Sequence, residues 1–222
     1  AAGEYQEPKG ELVLSAPTMF GRQHVLPVVT DFLARYPQIR VRLLLSDRNA
    51  DLVGDHIDLA VRIGTLPDSG MVATRLGEMR IVTCAHPALL EKHGIPERPR
   101  ELAALPIIRI ESPMPYRGWR FNAEEAEDRL VALQPVLSLT TPESAADAAR
   151  LGAGVARLLH YQAIDGLARG ELKLLLQAME PEPAPVHLLY TSRDLAPLKL
   201  RKFIDFAAPA LRRALLRIAA AV

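Results

Sequence analysis

Three things are scarce in this sequence: cysteine, long apolar runs and charge of one sign. Its 222 residues contain a single cysteine, Cys84, which excludes an intrachain disulfide framework and an all-cysteine metal site. The longest uncharged apolar stretch, from Leu130 to Pro142, is shorter than the roughly 20 residues that span a bilayer, and Gln134 and Pro135 break it. Because 27 basic residues face 26 acidic ones, the formal net charge of +1 creates no field that would hold nucleic acid. We therefore expect no membrane partner and no DNA binding by this chain alone.

The composition is that of a globular protein. Hydrophobic residues make up 49% of the chain and charged residues 24%, whereas a disordered chain would have fewer apolar residues. The length suffices for one large domain or two small lobes. The first ten residues contain neither an initiator methionine nor the apolar core of a signal sequence, and apolar periodicity begins only at Leu12. We predict that residues 1–10 are the remnant of a linker, left after an upstream segment was removed or excised.

Strands and helices alternate in the first third of the chain. Apolar runs predict strands at Leu12–Ala16, Val41–Ser46 and Leu59–Gly64. Between them, apolar residues at helical spacing predict a helix over Val25–Tyr36 and a short helix around residues 52–57. Strands separated by helices form parallel sheets with the helices on their faces, so this region is predicted to be α/β.

The same alternation restarts after Pro87 and predicts a second α/β lobe. The elements predicted there are strands at Ile107–Ile110, Val136–Thr140, Val155–Leu159 and Leu172–Leu176, and helices at Pro142–Leu151 and Tyr161–Ala168.

The chain is predicted to cross between the two lobes twice. A strand at Arg80–Ala85 precedes the first crossing, and a proline-rich connector at residues 180–185 precedes the second. After it, the pattern predicts a strand at Val186–Thr191 and a helix from Leu198 to Phe206, which Pro209 interrupts before a helix resumes over residues 211–220. Residues 11–84 and 187–222 are thus predicted to form lobe I, and residues 85–186 lobe II.

Enzyme and metal signatures fail when they are compared with their physical requirements. The stretch Gly152–Arg157 begins like a dinucleotide-binding loop but lacks its third glycine and follows a helix, so a helix C-cap explains it better. No pair of the six histidines has the spacing of a helical metal site. Cys84 and His86 share one face of a predicted strand, but the apolar run around Cys84 favours a buried, inert thiol. We predict no catalytic residue, no metal and no cofactor.

The carboxyl ends of the predicted parallel strands carry the candidate binding residues, since open parallel sheets bind ligands there. Thr18 and Thr141 stand at predicted helix starts, where hydroxyl and backbone N–H groups bind carboxylate or phosphate oxygens. Arg62 lies near the end of a buried strand. Alternatively, the two threonines are plain helix caps and Arg62 pairs with Asp58 or Asp47. Taken together at one predicted cleft, these residues favour a small ligand with at least one carboxylate.

Four blocks of sequence resemble one known family, in the same order and at the same spacing. They are residues 10–77, which begin GELVLSAPTMFGRQHVLPVV; residues 80–94, RIVTCAHPALLEKHG; residues 143–172, which begin ESAADAARLGAGVARLLHYQ; and residues 186–206, VHLLYTSRDLAPLKLRKFIDF. The chain resembles the effector-binding domain of LysR-type transcriptional regulators from Gly10 to about Phe206.

The resemblance implies an architecture and a set of partners. The fold would be α/β and two-lobed, like that of type II periplasmic binding proteins, with the lobes joined by two crossover strands. The protein would be a cytoplasmic homodimer or tetramer that binds a small effector between its lobes. A winged helix-turn-helix and a linker helix would precede residue 1, and DNA would be bound only through them.

The resemblance also assigns the effector-binding positions. By carry-over from the family they are Thr18, Met19, Phe20, Ser46, Arg62, Ile63, Gly64, Thr141, Pro142 and Glu143. One departure is that Leu158–Tyr161 stands where strands of the family commonly end in a Leu-Pro pair, which puts the contacts near His160 in doubt.

Two other classes of protein share the expected fold. A periplasmic solute-binding protein would also lack an initiator methionine after signal cleavage, although the short chain and the matching blocks speak against it. An enzyme with its site in the same cleft is the other alternative, and turnover of a bound ligand would reveal it.

Overall fold

Two five-stranded sheets organise the residues that the structure describes, and separate hydrophobic clusters pack against them. The computed structural model describes residues 7–48, 51–66, 70–112, 116–191 and 196–221, so residues 1–6 of the predicted linker lie outside it. The chain divides into two compact units. The first contains the residues up to Glu78 and Pro185–Arg217; the second contains Met79–Ala184 and the residues from Ile218.

The elements are numbered in chain order. The strands are β1 (Gly10–Ala16), β2 (Ile39–Leu45), β3 (Leu59–Ile63), β4 (Val72–Met79), β5 (Ile81–Ala85), β6 (Ile107–Ile110), β7 (Trp119–Arg120), β8 (Leu130–Val131), β9 (Pro135–Leu139), β10 (Val155–Leu159), β11 (Lys173–Leu175) and β12 (Ala184–Tyr190). The helices are α1 (Thr18–Phe20), α2 (Leu26–Arg35), α3 (Pro87–His93), α4 (Ala126–Arg129), α5 (Pro142–Arg150), α6 (His160–Ala168) and α7 (Leu198–Ala220). A π-helical turn, Gly21–Val25, joins α1 to α2, and 3₁₀ turns cover Pro99–Ala104 and Gln177–Met179.

The first sheet has the strand order β2-β1-β3-β12-β4. Strand β1 pairs in parallel with both β2 and β3, as the sequence predicted, so the carboxyl ends of these three strands lie at one edge. Strand β12 returns to this sheet and pairs antiparallel with β3, which places His187 opposite Arg62. The predicted α/β architecture is therefore confirmed, with one antiparallel strand inserted beside the parallel ones.

The long helical segment after β1 starts earlier than predicted. The apolar spacing predicted a helix over Val25–Tyr36, but the helical backbone already begins at Thr18 and passes through the π-helical turn before α2. Helix α2 buries Phe32 completely, and its ring meets Phe203 of α7 edge-to-face at 5.1 Å. Burying a phenylalanine side chain contributes about 1.5–3 kcal/mol. The C-terminal helix is thus anchored to the first unit.

Helix α7 runs without interruption through Pro209, so the predicted break there was wrong. A proline inside a helix lacks the N–H that would bond to the carbonyl four residues earlier, at a cost of about 3 kcal/mol. In this helix, burial of one apolar face, which includes Phe203, Ala207, Leu211 and Leu215, supports the backbone on both sides of the proline. Tertiary packing outweighs the local preference.

Two further elements of the first unit differ from the prediction. The short helix expected around residues 52–57 is a series of turns that ends with His56 at a positive φ of 54°. Strand β4 was not predicted, because Arg75, Gly77 and Glu78 interrupt its apolar pattern. The sheet order places β4 beside β12, so sheet pairing determines its structure.

The second sheet has the strand order β11-β5-β10-β6-β9. Strands β10, β6 and β9 are parallel to one another, while β5 lies antiparallel between β10 and β11. The predicted boundary after residue 84 placed this strand in lobe I, but Ile81–Ala85 belongs to the second sheet, and the chain enters the second unit at Met79.

Alternate residues of this sheet enter two different cores. Val82, Cys84, Ala156 and Leu158 pack with the alanines of α5 and α6. Ala85 and Val155, on the other face, pack with a separate cluster that contains Trp119 and Phe121. Since side chains alternate along a strand, Ile81, Thr83 and Arg157 belong to this second face.

Candidate functional site

The carboxyl edge of the first sheet brings three predicted segments together. The N–H of Ser46 donates to the carbonyl of Ala16 at 3.0 Å, which continues the β1–β2 ladder one residue past the end of β2. The backbone N–H of Thr18 donates to Oδ1 of Asp47, also at 3.0 Å. The start of the first helix is therefore tied to the residues that follow β2.

The residues of the first helical turn differ in their surroundings. Pro17 rather than Thr18 occupies the N-cap position, and no side chain caps the turn there. Met19 is half-buried, whereas Phe20 is fully buried and its ring lies 5.0 Å from that of His24. The alternative interpretation of Thr18 as a helix cap is therefore wrong, and the carboxylate of Asp47 accepts the hydrogen bond from the Thr18 amide.

Ser46 follows the end of β2 and Arg62 lies near the end of β3, with β1 between these two strands. The hydroxyl oxygen of Ser46 accepts a hydrogen bond from the N–H of Arg48 at 3.2 Å. Arg62 is half-buried on β3, and burial lowers the pKa of its guanidinium. Opposite it, burial and the charge of Arg75 lower the pKa of His187, whose Nδ1 is buried and forms no hydrogen bond with the described residues. A cation and an imidazole disposed to stay neutral thus sit side by side on β3 and β12.

Two backbone features surround Arg62. The N–H of Val13 donates to Oδ2 of Asp58 at 2.8 Å, so this carboxylate oxygen, one of the alternative partners proposed for Arg62, already serves the main chain. Ile63 ends β3, and Gly64 follows with φ of 118°, a conformation that side-chain-bearing residues rarely adopt. Its N–H donates to the carbonyl of Pro185 at 2.9 Å, which fixes the turn.

The remaining predicted residues begin helix α5 in the second unit. Thr141 is the N-cap: its Oγ1 accepts from the N–H of Ser144 at 3.2 Å and donates to the Ser144 hydroxyl at 2.8 Å. Pro142 occupies the first helical position, and Glu143 places a negative charge in the first turn. The predicted helix start is confirmed. Thr18–Phe20, Ser46 and Arg62–Gly64 share one sheet edge, whereas Thr141–Glu143 belong to the other unit.

The departure near His160 produces a regular helix start without proline. Leu159 is the N-cap of α6, and its N–H donates to Oε1 of Gln162 at 2.9 Å. The N–H of His160 donates to the carbonyl of Arg80 at 2.9 Å, and His160 itself is buried. The side chain of Gln162 and the carbonyl of Arg80, which lies between β4 and β5, therefore satisfy the N–H groups at this turn.

Cys84 is fully buried, as predicted, and burial raises the pKa of its thiol to about 12. The thiol therefore stays protonated at neutral pH, which makes it unreactive. Among the described residues, no group of three or more histidine, cysteine, aspartate or glutamate side chains is arranged to hold a metal ion. The same part of the chain contains no helix with the length and apolarity needed to cross a bilayer.

Sequence reasoning missed Arg157 and the cavity beside it. Arg157 lies on β10, and its guanidinium stacks on the rings of Phe121 and Trp119 in the second unit. The available signal was a charged residue inside the apolar run Val155–Leu159, the same signal that drew attention to Arg62.

Known proteins resemble this chain over nearly its whole length. The model of one family, the LysR substrate binding domain, matches residues 5–212. The HTH-type transcriptional activator AaeR of Escherichia coli is 30% identical over 198 residues, covering 89% of this chain and 64% of AaeR. The HTH-type transcriptional regulator PtxR of Pseudomonas aeruginosa is 33% identical over 205 residues, covering 90% of this chain and 64% of PtxR. This chain thus spans slightly less than two thirds of the length of these curated relatives.

Solved structures agree with the sequence relatives. The regulatory domain of CrgA, a LysR-type transcriptional regulator from Neisseria meningitidis, has a TM-score of 0.79 and 28% identity, and the match covers 92% of this chain and 100% of that domain. Full-length AphB from Vibrio cholerae has a TM-score of 0.80 at 24% identity, over 90% of this chain and 68% of AphB, and supports the fold alone. The expected two-lobed fold, related to that of periplasmic binding proteins, is confirmed. This chain belongs to the LysR substrate-binding domain family.

Proposed function

We propose that this domain senses a small, carboxylate-bearing effector and passes the signal to a DNA-binding domain outside the chain. The named relatives are helix-turn-helix regulators that are longer than this chain, which supports a role in transcriptional control rather than solute transport or catalysis. We place the protein in the cytoplasm, as a homodimer or tetramer that contacts DNA through an N-terminal helix-turn-helix.

The observation that carries the proposal is the hydrogen bond between Thr18 and Asp47. The start of the first helix already binds one carboxylate oxygen, because the N–H of Thr18 donates to Oδ1 of Asp47. Unpaired N–H groups and the helix dipole favour negative charge at such a position. Asp47 stands in for the carboxylate of the effector, and the guanidinium of Arg62 at the same sheet edge supplies a full positive charge.

The start of α5 is the second component of the proposed site. A helix terminus contributes about 0.3–1 kcal/mol toward an anion, and each charge-assisted hydrogen bond about 1.5–3 kcal/mol. A few such contacts approach the ~8 kcal/mol that corresponds to micromolar affinity, which suits a metabolite sensor. We propose that the start of α5 also binds the effector, and that effector binding favours one conformation of the protein over another.

Effector binding by matched variants tests the proposal. Small carboxylates and their uncharged methyl esters would first be compared by the shift that each causes in the melting temperature of the chain. With the effector found, isothermal titration calorimetry should show that Arg62→Ala and Thr141→Val each weaken binding by roughly tenfold, about 1.4 kcal/mol. Arg40→Ala, at an exposed position of β2, and Thr30→Val, on the exposed face of α2, serve as controls.

Two results would contradict the proposal. Binding of the effector by Arg62→Ala and Thr141→Val as tightly as by the unmodified chain would remove these residues from the site. Equal binding of a carboxylate and its methyl ester would reject the proposed chemistry of the effector.

A further inference from the structure

The second unit contains an arginine in an unusual setting. Arg157 projects from the face of the second sheet that lies opposite α5 and α6. Its guanidinium carbon lies 4.2 Å from the centre of the Phe121 ring and 5.2 Å from that of Trp119. The two aromatic rings hold the guanidinium plane in place, because a cation is attracted to the face of an aromatic ring.

The polar partners of Arg157 are neutral. One terminal nitrogen donates to the backbone carbonyl of Arg120 at 2.6 Å, and the other is 3.5 Å from the hydroxyl of Thr83. The Nε atom is buried and has no hydrogen-bond partner among the described residues. Burial lowers the pKa of Arg157 to about 10, which still leaves the side chain charged at neutral pH. The nearby carboxylate of Glu180 is engaged by Arg80 through two hydrogen bonds of 2.6 and 2.9 Å.

A cavity of about 510 Å³ opens beside this guanidinium, within the second unit. Apolar groups form part of its wall, and the polar groups are mostly cationic. The lining residues are Ile81, Phe121, Ala123 and Pro181, with Arg120, Asn122, Arg129, Arg157 and Glu182. Arg129 also donates to main-chain oxygens, those of Ala123 and Glu124, at 2.9 and 2.7 Å. Three guanidinium groups and one carboxylate leave the wall with an excess of two positive charges.

We propose that this cavity is a second ligand site, one that takes a small planar organic anion such as an aromatic carboxylate. The volume is in the range of small-molecule sites, which are largely apolar with a few polar groups that orient the ligand. A guanidinium matches a carboxylate through parallel hydrogen bonds, and the apolar wall accommodates a ring. Inorganic phosphate would neutralise the positive charge of the arginines but would make no contact with the apolar part of the wall.

This site is independent of the proposed effector residues. Thr141 begins α5, whose alanines pack on one face of the second sheet, whereas Arg157 lies on the other face. The proposal of this second site can therefore be tested independently of the proposed roles of Arg62 and Thr141.

Naphthalene-2-carboxylate is a suitable probe, with the uncharged naphthalene-2-carboxamide as its matched control. Trp119 is the chain's single tryptophan, so its fluorescence reports on this cavity. In a titration of the full 222-residue chain, we expect the carboxylate to change that emission and to bind at least tenfold more tightly than the carboxamide. Equal concentrations of inorganic phosphate should not displace it.

Variants of two arginines complete the test. Arg157→Met keeps the approximate length of the side chain but removes its charge. We expect it to bind the carboxylate at least tenfold more weakly than the unmodified chain does. Arg157→Lys keeps the charge without the planar group, so its affinity for the carboxylate should lie between those of the unmodified chain and Arg157→Met. Arg169→Met, at the exposed end of α6, should bind like the unmodified chain.

Several outcomes would overturn the proposal. They are equal affinity for the carboxylate and the carboxamide, displacement by phosphate, and unchanged binding by Arg157→Met. Loss of binding in Arg62→Ala with retention in Arg157→Met would move the probe to the proposed effector site. If Arg157→Met does not fold, the emission of Trp119 in the unmodified chain still decides between the carboxylate and the carboxamide.

Discussion

The carboxyl edge of the first sheet and the arginine cavity of the second unit satisfy their polar groups in different ways. At the sheet edge, the chain supplies its own carboxylates: Asp47 accepts from the N–H of Thr18, and Asp58 accepts from that of Val13. Around the cavity, Arg157 donates to a main-chain oxygen and approaches a hydroxyl, but no ion pair joins it to any described residue. A neutral acceptor satisfies a hydrogen bond without neutralising the charge. At the sheet edge, internal carboxylates thus bind the main chain, whereas beside the cavity a buried guanidinium is held by neutral acceptors and aromatic rings.

The largest expected effect separates packing from binding. Phe20 in the first unit is 0% exposed and Phe121 in the second is 6% exposed, so replacing either by alanine should lower the free energy of unfolding by about 3–5 kcal/mol, as measured in urea. Only Phe121→Ala should also lower the affinity for naphthalene-2-carboxylate, because the ring of Phe121 positions Arg157. The same loss of affinity in folded Phe20→Ala would show that general loosening explains the result.

A smaller effect compares the two helix starts. Thr141→Val removes the hydroxyl that caps α5 and should cost about 1 kcal/mol of unfolding free energy. Thr18→Val leaves the backbone N–H that bonds to Asp47 and should change stability by less than half of that. Urea denaturation of the two variants measures both losses of unfolding free energy. Equal losses would mean that the Thr18 hydroxyl contributes to the fold as a cap does.

The smallest effect concerns pH and the first unit. Burial and Arg217 lower the pKa of His24, and burial and Arg75 lower that of His187. A histidine with a lowered pKa in the folded state takes up a proton more readily when the chain is unfolded, so stability should fall as pH drops below about 6.5. Melting temperatures of the double variant His24→Gln, His187→Gln should depend less on pH between 7 and 5.5 than those of the unmodified chain. An identical pH dependence would contradict this assignment.

Local chemistry was enough to predict some of these features from the sequence. Thr141, followed by proline and glutamate, has the composition of a helix start, and the structure places a cap there. The parallel strands β1 and β3 followed from their apolar runs. Strand β4 and the continuous α7 were not predictable in this way, because pairing in the sheet and burial against the core override their local patterns.

The candidate sites divide along the same line. Arg62 and Arg157 both interrupt apolar strands, so the sequence marks both as unusual. They differ in the side chains that contact them in the folded protein. Trp119 and Phe121, which stack on Arg157, come from a two-stranded ribbon and the residue after it, distant in sequence from β10. The periodicity of the sequence does not predict these ring contacts, because they depend on the tertiary structure.

The division of the chain also determines the order in which the two units become complete during synthesis. Nearly all of the second unit is the uninterrupted stretch Met79–Ala184, whereas the first unit lacks β12 and α7 until Arg217 has been made. Domains fold as units while the chain emerges from the ribosome. Pro209 makes α7 less stable as an isolated helix, and burial of its apolar face compensates for this cost. The N-terminal part of the first unit is therefore synthesised before the second unit but is completed only after it.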